Sequence, residues 1–253
     1  MQPKNPDGTW KLDNPTANFN SLYLADVNIN RNEATRALSN SSATYQIADG
    51  LKVKSTFGID YINANVHSYE GPLHGGGLAE NGTSYMTNTR VFNWTTQNNL
   101  EYDLTLGNNE QFISVLLSQR FQKNKTLSNY SYGENVAAMG LIYPSSFPTN
   151  EASAGSFSDW KTLSYLALVN YSFKDKYIVD ISYRNDGSSR FAADYRFGNF
   201  YSAGLAWNIS NENFLADNDI VDNLKIRASY GESGNNAVGL NTYQALFSYS
   251  GSY

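Results

Sequence analysis

The chain has 253 residues, of which 41% are hydrophobic, 14% are aromatic and only 16% are charged. Its 18 basic and 23 acidic residues give a net charge of −5 without a basic block, which argues against a nucleic-acid partner. The absence of cysteine excludes a disulfide framework and a thiolate metal site. No apolar run of about 18 residues is present, so a transmembrane helix is excluded, but membrane-spanning β-strands are not.

The first predicted strands lie on either side of Asp49-Gly50, a strong two-residue hairpin signal. Before this turn, apolar residues alternate at Ala43, Tyr45 and Ile47. After it, apolar and polar residues alternate with period two, which is typical of a half-buried strand. One face carries Leu51, Val53, Phe57, Ile59 and Tyr61, and the other carries Lys52, Lys54, Thr56 and Asp60.

The same alternation continues along the chain and predicts about nine strands in all. Two further hairpins turn at Gly107-Asn108-Asn109 and at Lys174-Asp175-Lys176. Residues from Asn213 are predicted to form a helical turn in the connection 211–222. The remaining predicted strands are 92–104, 113–121, 163–173, 177–183, 201–209, 224–230 and a partial strand that begins at Tyr243.

The predicted connections alternate between short and long. The three hairpin turns are tight, whereas 63–88, 122–161 and 186–199 are long, polar segments. Outer-membrane barrels have short periplasmic turns and long extracellular loops, whereas a soluble sandwich has more even connections. We therefore expect an all-β, antiparallel, partial transmembrane β-barrel. Odd-numbered residues of 177–183 and 201–209 should face lipid. The residues that should face the lumen are Asp180, Ser182, Ser202 and Asn208.

Several ordered motifs between residues 171 and 236 resemble the barrel of SusC/RagA-type TonB-dependent transporters. They are Tyr171-Ser-Phe-Lys-Asp-Lys-Tyr177, Arg184-Asn-Asp-Gly-Ser-Ser-Arg-Phe191, Phe197-Gly-Asn-Phe-Tyr-Ser-Ala-Gly-Leu-Ala-Trp207, Asn223-Leu-Lys-Ile-Arg-Ala-Ser-Tyr-Gly231 and Gly234-Asn235-Asn236. These specific motifs cover about a quarter of the chain. Residues 1–170 show the same pattern of strands and connections but carry no comparably specific motif.

The resemblance implies a role in importing an oligomeric nutrient, a glycan or a peptide, across the bacterial outer membrane. A full member has a barrel of about 22 strands around an N-terminal plug. Neither a plug nor a signal peptide is recognisable here, so we expect residues 1–253 to be a partial barrel domain. The implied partners are outer-membrane lipid, a TonB-type energy-coupling protein that acts through the plug, and a SusD-type surface lipoprotein. No cofactor is implied.

Candidate ligand contacts are aromatic and arginine side chains in the predicted extracellular loops. Aromatic faces stack on sugar rings, and arginines bind anionic or polar groups. The alternative is loop architecture, with self-packed aromatic rings, a turn at Gly187, and Asp186 either paired with an arginine or capping backbone N–H groups. The candidates are Tyr85, Tyr130, Tyr132, Trp160, Arg184 and Arg190.

No catalytic residue and no metal site are predicted. His67 and His74 share one long predicted loop with Glu70 and Glu80, but their spacing matches no metal motif, and a solvated loop is favoured. No Gly-x-Ser-x-Gly nucleophile motif is present. Two alternatives to a transporter remain open, namely a secreted β-sandwich carbohydrate-binding module and an outer-membrane hydrolase that uses one of the histidines.

Overall fold

The computed structural model of the chain describes residues 2–13, 19–215 and 221–240. Within these residues eight strands form one sheet, in which each strand pairs with its neighbours in chain order. The predicted all-β, antiparallel architecture is confirmed, with eight strands instead of about nine, and the strand predicted from Tyr243 lies outside the described residues. The strands are β1 Ile29–Ala48, β2 Leu51–Glu70, β3 Thr83–Leu106, β4 Gln111–Glu134, β5 Thr149–Phe173, β6 Tyr177–Ser188, β7 Phe197–Asn208 and β8 Lys225–Gly231.

Helices are few and short. The only α-helix in the described part of the chain is α1, Ser21–Val27, which the sequence did not predict. It begins after Asn20, whose side chain accepts a hydrogen bond from the backbone N–H of Tyr23. Among these residues, no helix has the length and apolar character that crossing a membrane requires. The 3-10 helices are Gly76–Leu78, Pro144–Ser146, Ala193–Tyr195, Ile209–Asn211 and Asn213–Leu215.

Two compact units share the chain. The first unit comprises Met1–Ala37, Asp60–Phe92 and Lys125–Ser158. The second unit comprises Leu38–Ile59, Asn93–Asn124 and Asp159–Tyr253.

The long polar connections predicted from the sequence are largely strand. The segment predicted as loop 63–88 is reduced to 71–82, 122–161 to 135–148, and 186–199 to 189–196. In the first unit, polar side chains of neighbouring strands form hydrogen bonds with each other. The amide nitrogen of Asn88 donates to the side-chain oxygens of Asn63 at 2.8 Å and Asn65 at 2.6 Å. Such cross-strand pairs stabilise strands of polar sequence, and the loop prediction failed because it took the polar composition of these segments as a sign of loop.

The tight turns are confirmed, and each uses left-handed backbone conformations. Gly50 has φ 74°, and a side chain there would overlap the carbonyl oxygen of Asp103. The next turn, Gly107–Glu110, is one residue longer than predicted and has positive φ at Gly107, Asn108 and Asn109. The third turn also has positive φ, at Lys174 and Asp175.

In the second unit, the part of β5 from Asp159 onward and the strands β6–β8 present one apolar and one polar face. Tyr177 pairs with Phe173 and Trp207, and Ile181 pairs with Val169 and Ala203. The register therefore places the odd-numbered residues of β5, β6 and β7 on one face together with the even-numbered residues of β8, as the alternation predicted. Large exposed side chains on this face are Val169, Tyr177, Ile181, Tyr183, Tyr201, Leu205, Trp207, Ile226 and Tyr230. The opposite face carries Asn170, Asp180, Ser182, Arg184, Ser202, Arg227 and Ser229.

The strand predicted to extend to residue 209 ends at Asn208. Ile209 begins a 3-10 helix and is buried, so the prediction that it faces lipid is wrong. The helical turn predicted from Asn213 is confirmed as a 3-10 helix over Asn213–Leu215.

A small core lies in the first unit, beneath the connections. Tyr69 and Phe147 are 2% and 0% exposed, and their rings meet edge to face with centroids 6.4 Å apart. Val136 completes the buried cluster. Because this core holds the connections 71–82 and 135–148 against strand ends, these segments are packed structure and not open loops.

Candidate functional site: a cavity on the polar face

A cavity of about 660 Å³ lies on the polar face of the second unit. Strands β4 to β7 and the segment after β8 all contribute to its wall. Because the lining alternates with the apolar residues of the other face, the register of the sheet determines which side chains enter the cavity. The residues used below are Arg120, Trp160, Arg184, Asp186, Phe191, Arg196, Phe200 and Glu232.

The motif around Gly187 builds the rim of this cavity. Gly187 lies in β6 opposite Phe197, and a side chain at Gly187 would overlap the Phe197 ring. The prediction that Gly187 forms a turn is therefore wrong, because the residue is needed for close packing within the sheet. Beyond it, Ser189 exchanges two 2.9 Å hydrogen bonds with the backbone of Lys161, which fixes the connection 189–196.

The segment that follows β8 packs on Phe200. The Phe200 ring lies so close to Gly234 that a side chain at Gly234 would overlap it. The backbone N–H of Glu232 donates to the carbonyl oxygen of Tyr201 at 2.9 Å. Gly234-Asn235-Asn236, which carried part of the family resemblance, thus forms cavity wall.

Arginines dominate the charge of the cavity. Nε of Arg184 donates to Asp186 at 2.8 Å, so the ion pair predicted for Asp186 is confirmed. Arg190 stacks on Trp160, with its guanidinium carbon 5.0 Å from the ring centroid. A terminal nitrogen of Arg190 also donates to the carbonyl oxygen of Val238 at 2.8 Å. Arg190 therefore links the connection 189–196, β5 and the segment after β8.

Three of the six predicted contact residues meet at this cavity. Trp160 and Arg184 line it, and Arg190 stacks on Trp160. The loop placement was wrong for Trp160, which lies in β5, whereas Arg184 lies towards the end of β6 and Arg190 lies in the connection 189–196. Sequence reasoning missed Arg120 and Arg196, whose place in the cavity depends on strand pairing between distant segments.

The other three predicted contact residues lie in the first unit, and all are in strands instead of loops. Tyr85 in β3 and Tyr130 in β4 have ring centroids 6.1 Å apart. Tyr130 borders a second, more open cavity of about 600 Å³. The hydroxyl of Tyr132 donates to Glu134 at 2.6 Å.

The two histidines have structural partners. Nε2 of His67 lies 3.0 Å from the carbonyl oxygen of Ile142, and its ring stacks on Tyr143. Nε2 of His74 accepts the backbone N–H of Asn20 at 2.7 Å, and His74 is only 6% exposed. The solvated-loop prediction is therefore wrong for His74, and it is also wrong for His67, which lies half-buried in β2. Neither imidazole bonds a serine or threonine hydroxyl in the described part of the chain, and no group of three metal-ligating residues occurs there.

An acidic clamp stabilises the connection after β7. The Glu212 carboxylate accepts hydrogen bonds from Tyr177 at 2.7 Å, Lys176 at 3.0 Å and Trp207 at 3.0 Å. These donors lower the pKa of Glu212 to about 2, with the Tyr177 hydroxyl as the largest cause, followed by Lys176 and Trp207. Glu212 thus fastens the 3-10 turns to the β5–β6 turn.

No family model matches the chain. TonB-dependent receptor P26 of Formosa agariphila is 30% identical over 245 residues, which is 92% of the chain and 24% of that receptor. TonB-dependent receptor P3 of the same organism is 28% identical over 98% of the chain and 25% of the receptor. TonB-dependent receptor SusC of Bacteroides thetaiotaomicron is 26% identical over 93% of the chain and 23% of SusC.

The fold is also similar to a solved structure. The RagAB peptide transporter matches with a TM-score of 0.82 and 22% identity, over 96% of this chain and 28% of the transporter chain. The chain spans about a quarter of the length of these relatives. The relatives are named as receptors and transporters and not as enzymes.

Proposed function

We propose that this chain, which is similar over most of its length to SusC/RagA-type TonB-dependent receptors, forms part of the barrel wall of an outer-membrane importer. The observation that carries the proposal is the register of β5–β8, which separates an exposed apolar face from a polar face. A soluble protein buries such a face, whereas a barrel turns it towards lipid. The β-sandwich alternative needs two packed sheets, and the described residues form one.

The strand lengths also fit a barrel that projects beyond the membrane. The apolar band of an outer-membrane barrel is about 25 Å tall. A strand of 24 residues, as in β3 and β4, rises about 56 Å at ~3.3 Å per residue and a tilt of ~45°. The tight turns lie at one end of the strands, so the ends that lead into the connections 71–82 and 135–148 would project from the outer surface.

The partners follow from this orientation. A TonB-type protein would supply energy through a plug, and a SusD-type lipoprotein would cover the outer end of the barrel. Exposed apolar side chains on the outer connections are suitable contacts for such a cover, because water alone does not favour them. They are Leu73, Leu78, Met139, Leu141 and Tyr143.

The cargo is proposed to be an oligomeric nutrient, a glycan or alternatively a peptide. Trp160, Arg184 and Arg190 would contact it in the second unit, and Tyr85, Tyr130 and Tyr132 in the first. Loss of one stacking ring should cost on the order of 1 kcal/mol of binding. Replacing Tyr130, Tyr132 and Trp160 singly by alanine in the full-length transporter should therefore weaken binding about fivefold at equal surface levels. Unchanged affinity in all three variants would show that these side chains do not contact the cargo and that the strands only form the barrel wall.

Energy-dependent uptake is the direct test of the transporter proposal. Cells that express the full-length protein should accumulate labelled oligosaccharides or oligopeptides only while the inner membrane is energised. Deleting the TonB-type protein should abolish this uptake without changing the amount of folded barrel. Uptake that persists without energy coupling, or the absence of any oligomer uptake, would contradict the proposal.

A further inference from the structure

The cavity on the polar face contains more positive charge than its own residues neutralise. Three arginines line it, namely Arg120, Arg184 and Arg196, whereas the acidic lining residues are Asp186 and Glu232. Concave surfaces with one sign of charge concentrate ligands of the opposite sign. The cavity therefore has a charge preference that a neutral glycan would not need.

The ion pairing within the cavity is uneven. Asp186 already pairs with Arg184, 2.7 Å from its Nε. Neither Arg120 nor Arg196 has a carboxylate within ion-pair distance among the described residues. The Glu232 carboxylate accepts instead from the hydroxyl of Tyr230 at 3.4 Å. Two guanidinium groups thus remain without an acidic partner in a cavity wall.

Both free guanidinium groups are accessible to a ligand. Arg120 and Arg196 are exposed residues. Nε of Arg196 lies 3.5 Å from the carbonyl oxygen of Phe191, which restrains the side chain and leaves its terminal nitrogens available. A restrained guanidinium loses less freedom when it binds an oxyanion, and its planar donors match the oxygens of carboxylate and sulfate.

A further positive charge, that of Arg190, lies against the aromatic wall of the cavity. Trp160 lines the cavity while Arg190 stacks on it, and Arg190 donates to Val238. Because Arg190 is held by both contacts, its charge stays beside the cavity instead of moving into solvent. This fixed charge adds to the attraction for an anion.

We propose that Arg120 and Arg196 bind an oxyanion group, a carboxylate or a sulfate, on the imported oligomer. The inference rests on the proposed import function and narrows its cargo to acidic oligomers. Trp160 then contacts the uncharged part of the same ligand. Arg120 and Arg196 select by charge, and the aromatic ring contributes contact area.

Matched ligand pairs test this selection in the full-length protein, purified in detergent. The first pair is hexagalacturonate and its methyl ester, the second is a sulfated oligosaccharide and its desulfated form, and the third is an Asp-Gly hexapeptide and its Asn-Gly counterpart. Titration calorimetry should give at least tenfold tighter binding for the charged member of one pair, and this advantage should fall as salt rises. The pair that responds identifies the source of the oxyanion.

Arginine-to-glutamine variants locate the effect. For the ligand pair that responds, the affinity ratio is the affinity for the charged member divided by that for the neutral member. Arg120→Gln and Arg196→Gln should each reduce this ratio about tenfold. Arg227→Gln is the matched control, because Arg227 lies on the same face in β8 but does not line the cavity. Equal amounts of heat-modifiable, folded barrel show that each variant is intact.

Three results would each overturn the inference. The first is that no charged member binds more tightly than its neutral partner. The second is that Arg120→Gln and Arg196→Gln leave the affinity ratio unchanged, and the third is that Arg227→Gln lowers it equally. Energy-dependent uptake of neutral oligomers with any of these results would leave the transporter proposal standing, so the two failures are distinguishable.

Discussion

Replacing Ile181 by arginine places a charge on the apolar face of β6. Ile181 is 55% exposed and pairs with Val169 on one side and Ala203 on the other. It lies four residues from Tyr177, or about 9 Å along the barrel axis at ~3.3 Å per residue and a tilt of ~45°. With Tyr177 taken as the edge of an apolar band about 25 Å tall, Ile181 lies close to the middle of the band.

The expected cost follows from that depth. Arginine on the lipid face costs about 2–4 kcal/mol at the bilayer midplane and about 0–1 kcal/mol near the interfaces. Ile181→Arg should therefore lower the equilibrium for folding into the membrane by roughly 30-fold or more. Ile178→Arg is the matched control, since Ile178 pairs with Ser172 and Ala206 on the polar face. There the charge meets water, and the change should stay within about 1 kcal/mol.

The assay is the fraction of heat-modifiable, folded full-length protein in outer membranes, followed by denaturant titration of the barrel in lipid vesicles. Spin labels at Val179 and Asp180 provide an independent readout, with lipid contact expected at Val179 and water contact at Asp180. If Ile178→Arg is the costly change, or if the labels report the reverse environments, the assignment of the faces is wrong.

Three further predictions concern other parts of the fold. Gly187→Ala should destabilise the barrel by about 1–3 kcal/mol, because the new methyl group overlaps the Phe197 ring, and Phe197→Ala in the same chain should recover part of that loss in the same denaturant titration. The pKa of Glu212 is lowered from 4.5 to about 2, so its clamp stabilises the fold above pH 4.5 and is lost as pH falls towards 2. The difference in unfolding midpoint between Glu212→Gln and the parent protein should therefore be largest near neutral pH and vanish near pH 2. The isolated 253-residue chain should aggregate, because β1 and β8 each have one edge that no other strand of the described residues pairs with, and a monodisperse, soluble monomer in light scattering would contradict this.

The faces of the sheet were predictable wherever alternation was clean. Between Tyr177 and Tyr183 in β6, and between Tyr201 and Trp207 in β7, every odd position is apolar or aromatic, so the period-two pattern predicted both the strand and its orientation relative to its neighbours. The prediction failed at Ile209, where the chain leaves the sheet for a 3-10 turn without a change in the pattern. Local alternation carries no information on where pairing stops.

Strand ends and cavity residues were harder to predict. Asn63, Asn65 and Asn88 have low strand propensity, and their extended conformation is stabilised by side-chain hydrogen bonds across the sheet that the sequence does not reveal. Trp160 and Arg184 were found as aromatic and charged side chains near a motif. Their joint place with Arg120 in one cavity requires the pairing of strands that are distant in sequence.

The turn Gly107–Glu110 offers a place where the chain can be lengthened. Its four residues are exposed, and three of them have left-handed backbone conformations that a longer linker would relieve. The Asp49-Gly50 turn lacks this freedom, since Asp103 donates its backbone N–H to Gly50 at 2.8 Å and fills the space beside it. A peptide tag between Asn108 and Asn109 therefore gives a handle for immobilisation or fluorescent labelling. In the same unit, the cavity lies at the other ends of the strands, so such a handle leaves ligand access open.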